Sequence, residues 1–272
     1  MNAAARFRAL HDRDGLFVMP NPWDAGTAKI LRHFGFEALA TGSAPFAATL
    51  GRRDGEVERE EAIGHASLLS AVSGLPVNGD LENGYGDTPE QVFETVRRAI
   101  EAGLAGCSIE DTTGDDAEPL YDRALAVERI RAARSAIDEA GSDFVLTARC
   151  EAYLTGHDAP LTECLERLAE MAEAGADVVY ACGMANADDI AELVKAVPKP
   201  VNVLGGTGAE PLSVAALEEI GVKRISLGPR MLQAAMGGFL RACRELKEEG
   251  TFGFMADAAH LGEVYDMFGP RR

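Results

Sequence analysis

Eight times along this chain a short apolar run is followed by a longer amphipathic segment, with neither a long linker nor a break in composition between the units. Parallel strands need crossover connections of a dozen or more residues, so this alternation is the pattern of strands joined by helices. The runs fall at 16–19, 38–40, 76–79, 106–109, 144–148, 178–180, 201–203 and 225–227, and the helical segments near 24–34, 57–73, 89–102, 123–140, 161–174, 187–196, 212–220 and 229–248. A further helix is expected at 3–11. Thr88-Pro89-Glu90-Gln91 carries a helix-start signal, a threonine cap followed by proline at the first helical position. Gly103, Gly175 and Gly221 stand where a helix must stop before a strand and a left-handed residue is favoured. Eight consecutive units favour a closed (β/α)8 TIM-type barrel, an α/β fold spanning residues 1–250, over an open doubly wound sheet. Residues 251–272 are surplus to that barrel. With Phe252, Phe254, Leu261, Val264, Tyr265 and Phe268, this helical tail is expected to pack on another subunit, an internal cap being the alternative.

The 272 residues are 47% hydrophobic and 26% charged, which excludes a mainly disordered chain. A net charge of -18 repels phosphate over most of the surface and argues against nucleic-acid and membrane partners. An anionic ligand would therefore need a local cation, either a metal ion or a buried arginine. Cys107, Cys150, Cys164, Cys182 and Cys243 are odd in number and widely spaced, as expected of reduced, mostly buried thiols in a cytoplasmic protein. Charged residues interrupt the N-terminal segment, and no apolar run is long enough for a membrane span.

In a barrel of this kind the residues following each strand share one rim, where active sites are built. Here the chain supplies Asn21-Pro22-Trp23-Asp24, Thr41-Gly42-Ser43, Asp80 with Glu82, Glu110 with Asp111, Arg149 with Glu151, Cys182-Gly183, Asn202 and Gly228-Pro229-Arg230. Asp80 and Glu82 are two apart, so on an extended backbone both point to one side, where a hard divalent cation takes oxygen ligands. Asp80 is the expected direct ligand, with Glu82 and Glu110 acting directly or through water. Arg149 is placed to pair with a substrate carboxylate; a buried bridge to Glu151 or Glu110 is the alternative. Gly42, Ser43 and Ala44 form a small-residue turn whose amides suit an anionic oxygen. Trp23 is a further expected substrate contact. His11, His33, His65, His157 and His260 form no zinc-like constellation and are expected to be structural or exposed.

The segments "NPWDAGTAKILRHFGFEALATGS", "LGRRD", "PVNGDLENGYGDTPEQVFETVRRAIEAGLAGCSIED" and "FVLTARCEAY", in this order, resemble the isocitrate lyase/phosphoenolpyruvate mutase superfamily over most of residues 15–155. The resemblance implies a (β/α)8 barrel, often a tetramer with exchanged C-terminal helices, that binds Mg2+, or Mn2+ in its place, and a 2-oxo acid or its enolate. It implies that Asp80 is the principal metal ligand and that Asp54, Glu82 and Glu110 hold the metal's waters. Gly42, Ser43 and Ala44 would cradle the carboxylate, Arg149 and Asn202 would touch substrate, and Arg149 and Asp54 would be catalytic.

The departures are equally specific. Lyases of that superfamily carry K-[KR]-C-G-H after the I-E-D strand, whereas residues 112–122 here contain no cysteine, lysine or histidine. Tyr180-Ala181-Cys182-Gly183 stands where those lyases have a glutamate. The expectation is a Mg2+-dependent carbon–carbon lyase or decarboxylase acting on a small 2-oxo (di)carboxylic acid such as oxaloacetate or 2-oxoglutarate, in a homodimer or homotetramer. The alternatives are a 2-oxo-acid-binding barrel without efficient catalysis, and a phosphonate mutase or hydrolase.

Overall fold

The computed structural model describes residues 1–269. Eight parallel strands, β1 (Phe17–Met19), β2 (Leu39–Ala40), β3 (Val77–Asp80), β4 (Gly106–Glu110), β5 (Val145–Cys150), β6 (Val178–Ala181), β7 (Val201–Leu204) and β8 (Arg224–Ser226), pair in chain order, and β1 pairs with β8. The remaining gap is bridged past the strand end, where the Ala40 amide donates to the Pro20 carbonyl at 3.0 Å. The result is the nearly closed barrel that the alternating pattern predicts. Register places Glu110, Arg149, Tyr180, Asn202 and Arg224 in one ring around its interior.

Helices α2 (Ala25–His33), α4 (Arg59–Ser73), α5 (Pro89–Glu101), α6 (Arg123–Glu139), α7 (Pro160–Glu173), α8 (Ala187–Ala196) and α9 (Val214–Ile220) alternate with the strands. α1 (Ala3–Asp12) closes the floor, where Phe7 and Leu10 pack with Phe17, Met19, Ala105, Val145 and Val178. Thr88 caps α5 as expected, and Gly221 ends α9 with φ +96°, a backbone that a side chain would strain.

The structure corrects two local expectations. Residues 43–49 form a short helix, α3 (Ser43–Thr49), so Gly42 is a helix cap rather than part of an open turn. Strands β3, β4 and β5 also run to Asp80, Glu110 and past Arg149. These charged groups therefore sit on strand backbone, whose hydrogen bonds fix them more rigidly than a loop would.

The interior ring below the rim is polar. Arg224, 1% exposed, donates to Asn202 Oδ1 at 2.8 Å and Thr147 Oγ1 at 3.0 Å, and its Nη1 lies 3.3 Å from His11 Nε2. His11 Nδ1–H donates to the Phe7 carbonyl at 2.9 Å, leaving Nε2 to accept from the arginine. Burial and this neighbouring cation push the His11 pKa down to about 3. The unfolded chain therefore binds a proton that the folded chain refuses between about pH 6.5 and about 3, and stability falls as pH falls through that window. We expect His11 to add a slope of up to about 1.4 kcal/mol per pH unit there, absent from His11→Gln when urea unfolding of the two proteins is compared across pH. Equal slopes would refute the assignment.

Beyond β8 the chain leaves the barrel. In α10 (Arg230–Glu248) only Leu232 is buried, and Met236, Phe239, Leu240 and Leu246 are exposed. A 3-10 turn (Gly253–Asp257) leads to α11 (Leu261–Met267), which packs on α2 of the same chain, with Lys29 Nζ 5.7 Å from the centre of the Phe268 ring. Among the described residues no helix is long and apolar enough to cross a membrane.

Candidate active site

Asp80 ends β3, where its amide donates to Thr41 Oγ1 at 2.7 Å and its Oδ2 accepts from the Ser43 amide at 3.1 Å. Its other oxygen, Oδ1, is buried without a hydrogen bond and lies 3.5 Å from Arg149 Nη1. Glu82 does not reach the site by strand alternation as expected, because β3 has already ended and Glu82 turns left-handed with φ +47°. It is nevertheless brought beside Asp80, with Oε1 buried and unpartnered. Loss of water, together with the nearby charges of Asp80, Glu110 and Asp54, pushes the Glu82 carboxyl up to about 7. Glu110 ends β4 and is raised by burial, partly opposed by Arg149. The Thr112 hydroxyl donates to its Oε1 at 2.6 Å.

Arg149 is buried among these acids. It pairs with Glu110 Oε2 at 3.2 Å, with Asp80, and through Nε with Glu151, so the buried bridge to Glu151 or Glu110, the alternative in the sequence, is formed to both. Burial opposes its charge, but Glu110 and Glu151, with further help from Cys182 and Asp80, outweigh that cost and hold its pKa above the ordinary value. The guanidinium also lies 5.5 Å from the centre of the Tyr180 ring.

Asp80, Arg149 and Tyr180 face a cavity of about 250 Å3 lined also by Gly42, Ser43, Ala44, Asp54, Cys182 and Arg230, with Pro45, Leu154 and Leu204 as apolar wall. Glu82 and Glu110 open instead on an adjoining cleft of about 720 Å3 that also meets Thr112, Thr113 and Gly114. The Ser43 amide, expected to meet substrate, is given to Asp80 instead. Asn202 sits lower, its amide donating to Ser226 Oγ at 3.0 Å and its oxygen accepting from Arg224. Trp23 does not line the cavity; its carbonyl accepts from His65 Nε2 at 3.1 Å beside the start of α2.

The turn carrying Glu82 is pinned by a residue that the motif reading passed over. Arg129 of α6, 1% exposed, donates to the carbonyls of Asn83, Gly86 at 2.7 Å and Asp87 at 2.5 Å, and lies 4.0 Å from the centre of the Tyr121 ring. Tyr121 in turn donates to Asp87 Oδ1 at 2.6 Å and accepts from Asn83 Nδ2 at 3.0 Å, so its hydroxyl is turned away from the site. An arginine on the stripe of Ala126, Ile130 and Ala133 is the signal that could have found it. Residues 112–120 close as a hairpin with a Thr112–Leu120 bridge and bring no proton donor of the lyase kind.

Mg2+ takes one or two carboxylates and keeps several waters, so the fit required is a free, buried acid oxygen with further acids a water's length away. Asp80 Oδ1 and Glu82 Oε1, together with the raised carboxyls of Glu82 and Glu110, meet that requirement. Among the described residues no three acidic, thiol or imidazole groups close directly around one point.

A barrel whose strand ends gather acids, an arginine and a tyrosine around one small cavity belongs to the (β/α)8 enzymes. The phosphoenolpyruvate phosphomutase family model matches residues 7–247, and the chain belongs to the isocitrate lyase/phosphoenolpyruvate mutase superfamily. A Burkholderia cenocepacia J2315 protein assigned to the lyase/mutase class is 47% identical, with a TM-score of 0.95 over 98% of this chain and 96% of that one. The 2,3-dimethylmalate lyase of Eubacterium barkeri is 27% identical over 99% of this chain and 95% of its own. A structure of oxaloacetate acetylhydrolase with its product oxalate is 27% identical, with a TM-score of 0.87 over 98% of this chain and 94% of that chain. With relatives of this kind, the chain is an enzyme of the carbon–carbon lyase type.

Proposed function

We propose that the protein is a Mg2+-dependent enzyme that breaks a carbon–carbon bond of a small 2-oxo dicarboxylic acid of the oxaloacetate type through an enolate. The observation that carries this reading is the pair of buried acid oxygens without a hydrogen bond, Asp80 Oδ1 and Glu82 Oε1, beside the cavity that holds Arg149. Asp80 would hold the ion directly, and Glu82, Glu110 and Asp54 would hold its waters. Bound there, the ion would supply positive charge for the 2-oxo and carboxylate oxygens as enolate charge develops.

The protein's own groups do the rest. Arg149, held through Nε by Glu151, would turn its outer nitrogens to bind and orient a substrate carboxylate. Pro45 and Leu204 give the cavity an apolar side against which the substrate's carbon chain would lie. When the bond breaks, its electron pair stays with the enolate and carbon dioxide or a carbonyl fragment leaves. The Tyr180 hydroxyl, which accepts a hydrogen bond from the Cys182 thiol at 3.1 Å, then gives its proton to the enolate carbon. The phenolate recovers a proton from Cys182, and the thiolate recovers one from water.

Turnover of oxaloacetate, 2-alkylmalates and methylisocitrate, measured with Mg2+ and with a chelator, tests the reading. Mg2+-dependent product from at least one is expected, and none from any would refute it. The hairpin at 112–120 favours a second reading, in which a 2-oxo acid is bound but not turned over. Mg2+-dependent calorimetric binding of 2-oxoglutarate with no product from any substrate would select it. The exposed apolar residues of α10 and the tail support a homo-oligomer, and the absence of disulfides suits a reducing cytoplasm.

A further inference from the structure

Two described cations line the 250 Å3 cavity, and they differ in one respect. Arg149 is surrounded by Asp80, Glu110 and Glu151, whereas Arg230 has no carboxylate within ion-pair reach among the described residues. Arg230 is the first residue of α10, just past the end of β8. Its stem passes Gly206, where a Cβ would lie 3.6 Å from Arg230 Cγ and 3.9 Å from its Nε. Nη1 donates to Gln233 Oε1 at 3.2 Å, and Nε is buried with no acceptor. A guanidinium carries five N–H donors, and a buried one left unpaired is costly. In a chain of net charge -18, an arginine that keeps an empty donor beside a cavity, without an acidic neighbour, is arranged for an anion that arrives from outside.

We infer that Arg230 is the specificity residue for the distal carboxylate of the substrate, so that the enzyme selects a dianionic 2-oxo acid over its monocarboxylate counterpart. The inference rests on the functional reading above and deepens it. One end of the ligand is held at Arg149 and the acid cluster, and the other reaches across the cavity to the Arg230 fork. Arg230 acts in binding and takes no part in moving a proton.

The test uses the full-length protein with Mg2+, as wild type, Arg230→Gln and Arg230→Lys. Calorimetry with pyruvate and 2-oxoglutarate gives mono- and dianion affinities, and steady-state kinetics gives KM and kcat for whichever diacid is turned over. Loss of a charge-assisted pair predicts that Arg230→Gln weakens diacid binding by about 10- to 100-fold. Pyruvate affinity should stay within about 3-fold, the kinetic loss should fall mainly on KM, and Arg230→Lys should restore part of it, since lysine keeps the charge without the fork. A wild type that binds the diacid no better than pyruvate, or an Arg230→Gln that weakens both alike or neither, overturns the subsite and leaves the functional reading standing. A wild type that binds no 2-oxo acid overturns both. Thermal melting of both variants checks that the barrel is intact.

Discussion

Asp80→Ala is expected to lower kcat/KM for the 2-oxo acid substrate by on the order of 10³-fold or more, with Mg2+ affinity lost in calorimetry. The expectation rests on where its two oxygens go: Oδ2 is anchored by the Ser43 amide, which holds Oδ1 at a fixed buried point with no hydrogen bond, 3.5 Å from Arg149 Nη1. Glu82 and Glu110, opening on the adjoining cleft, are not placed to take over that point. Stability should move differently from activity. Asp80 is one of the charges that raise Glu82 and Glu110, so its removal relieves repulsion in the cluster. The variant should melt within a few degrees of wild type, as expected where like charges are kept together for function. Metal-dependent turnover that survives in Asp80→Ala would exclude this aspartate as the principal ligand, whereas a collapsed melting temperature would show that its role is structural.

The barrel was legible in the sequence because period and punctuation agreed: eight apolar runs, amphipathic crossovers, and glycines such as Gly221 at helix ends. The rim acids were legible because apolar runs ended in them. What pattern reasoning missed is tertiary. Ser43–Thr49 is short, small and proline-containing, so its helical state rests on packing rather than on propensity. The joint presence of Asp80 and Glu82 was expected for the wrong local reason, since a left-handed residue outside the strand, and not alternation, brings Glu82 in. Arg149 reads from the sequence as a substrate arginine or a buried bridge, and the structure shows it surrounded by three acids. Arg129 and Arg224 were passed over because a single arginine in a helix or strand gives no periodic signal for the carbonyls and amides it meets across the fold. The tail's apolar residues are expected from the sequence to pack on another subunit, whereas α11 packs on α2 of its own chain, because packing depends on surfaces that a linear pattern does not contain.

Tyr180→Phe is expected to lower kcat by about 10²- to 10³-fold while leaving KM and Mg2+ affinity near wild type. The substitution removes one oxygen and keeps the ring that lies near Arg149, so binding geometry should survive. Tyr180 occupies the inner face of β6, between Arg149 and Asn202 in register, and its hydroxyl and the Cys182 thiol are hydrogen-bonded at the wall of the cavity. Burial holds both groups above their ordinary pKa, the thiol at about 12, so both keep their protons at neutral pH and give them up only to a strong base such as an enolate carbon. On the proposed mechanism, strand β6 would thereby supply the donor that the hairpin at 112–120 lacks. If Tyr180 gives the proton, the solvent deuterium isotope effect on kcat should change in Tyr180→Phe, and the released enolate should be trapped more often by solvent, which scrambles label at the product's methyl carbon. Cys182→Ala should show a smaller loss, because water can return the proton to a phenolate more readily than it can reach the enolate carbon. Unchanged kcat and isotope effect in Tyr180→Phe would move the donor to a water in the cavity, and a loss confined to KM would make Tyr180 a wall of the pocket rather than its acid.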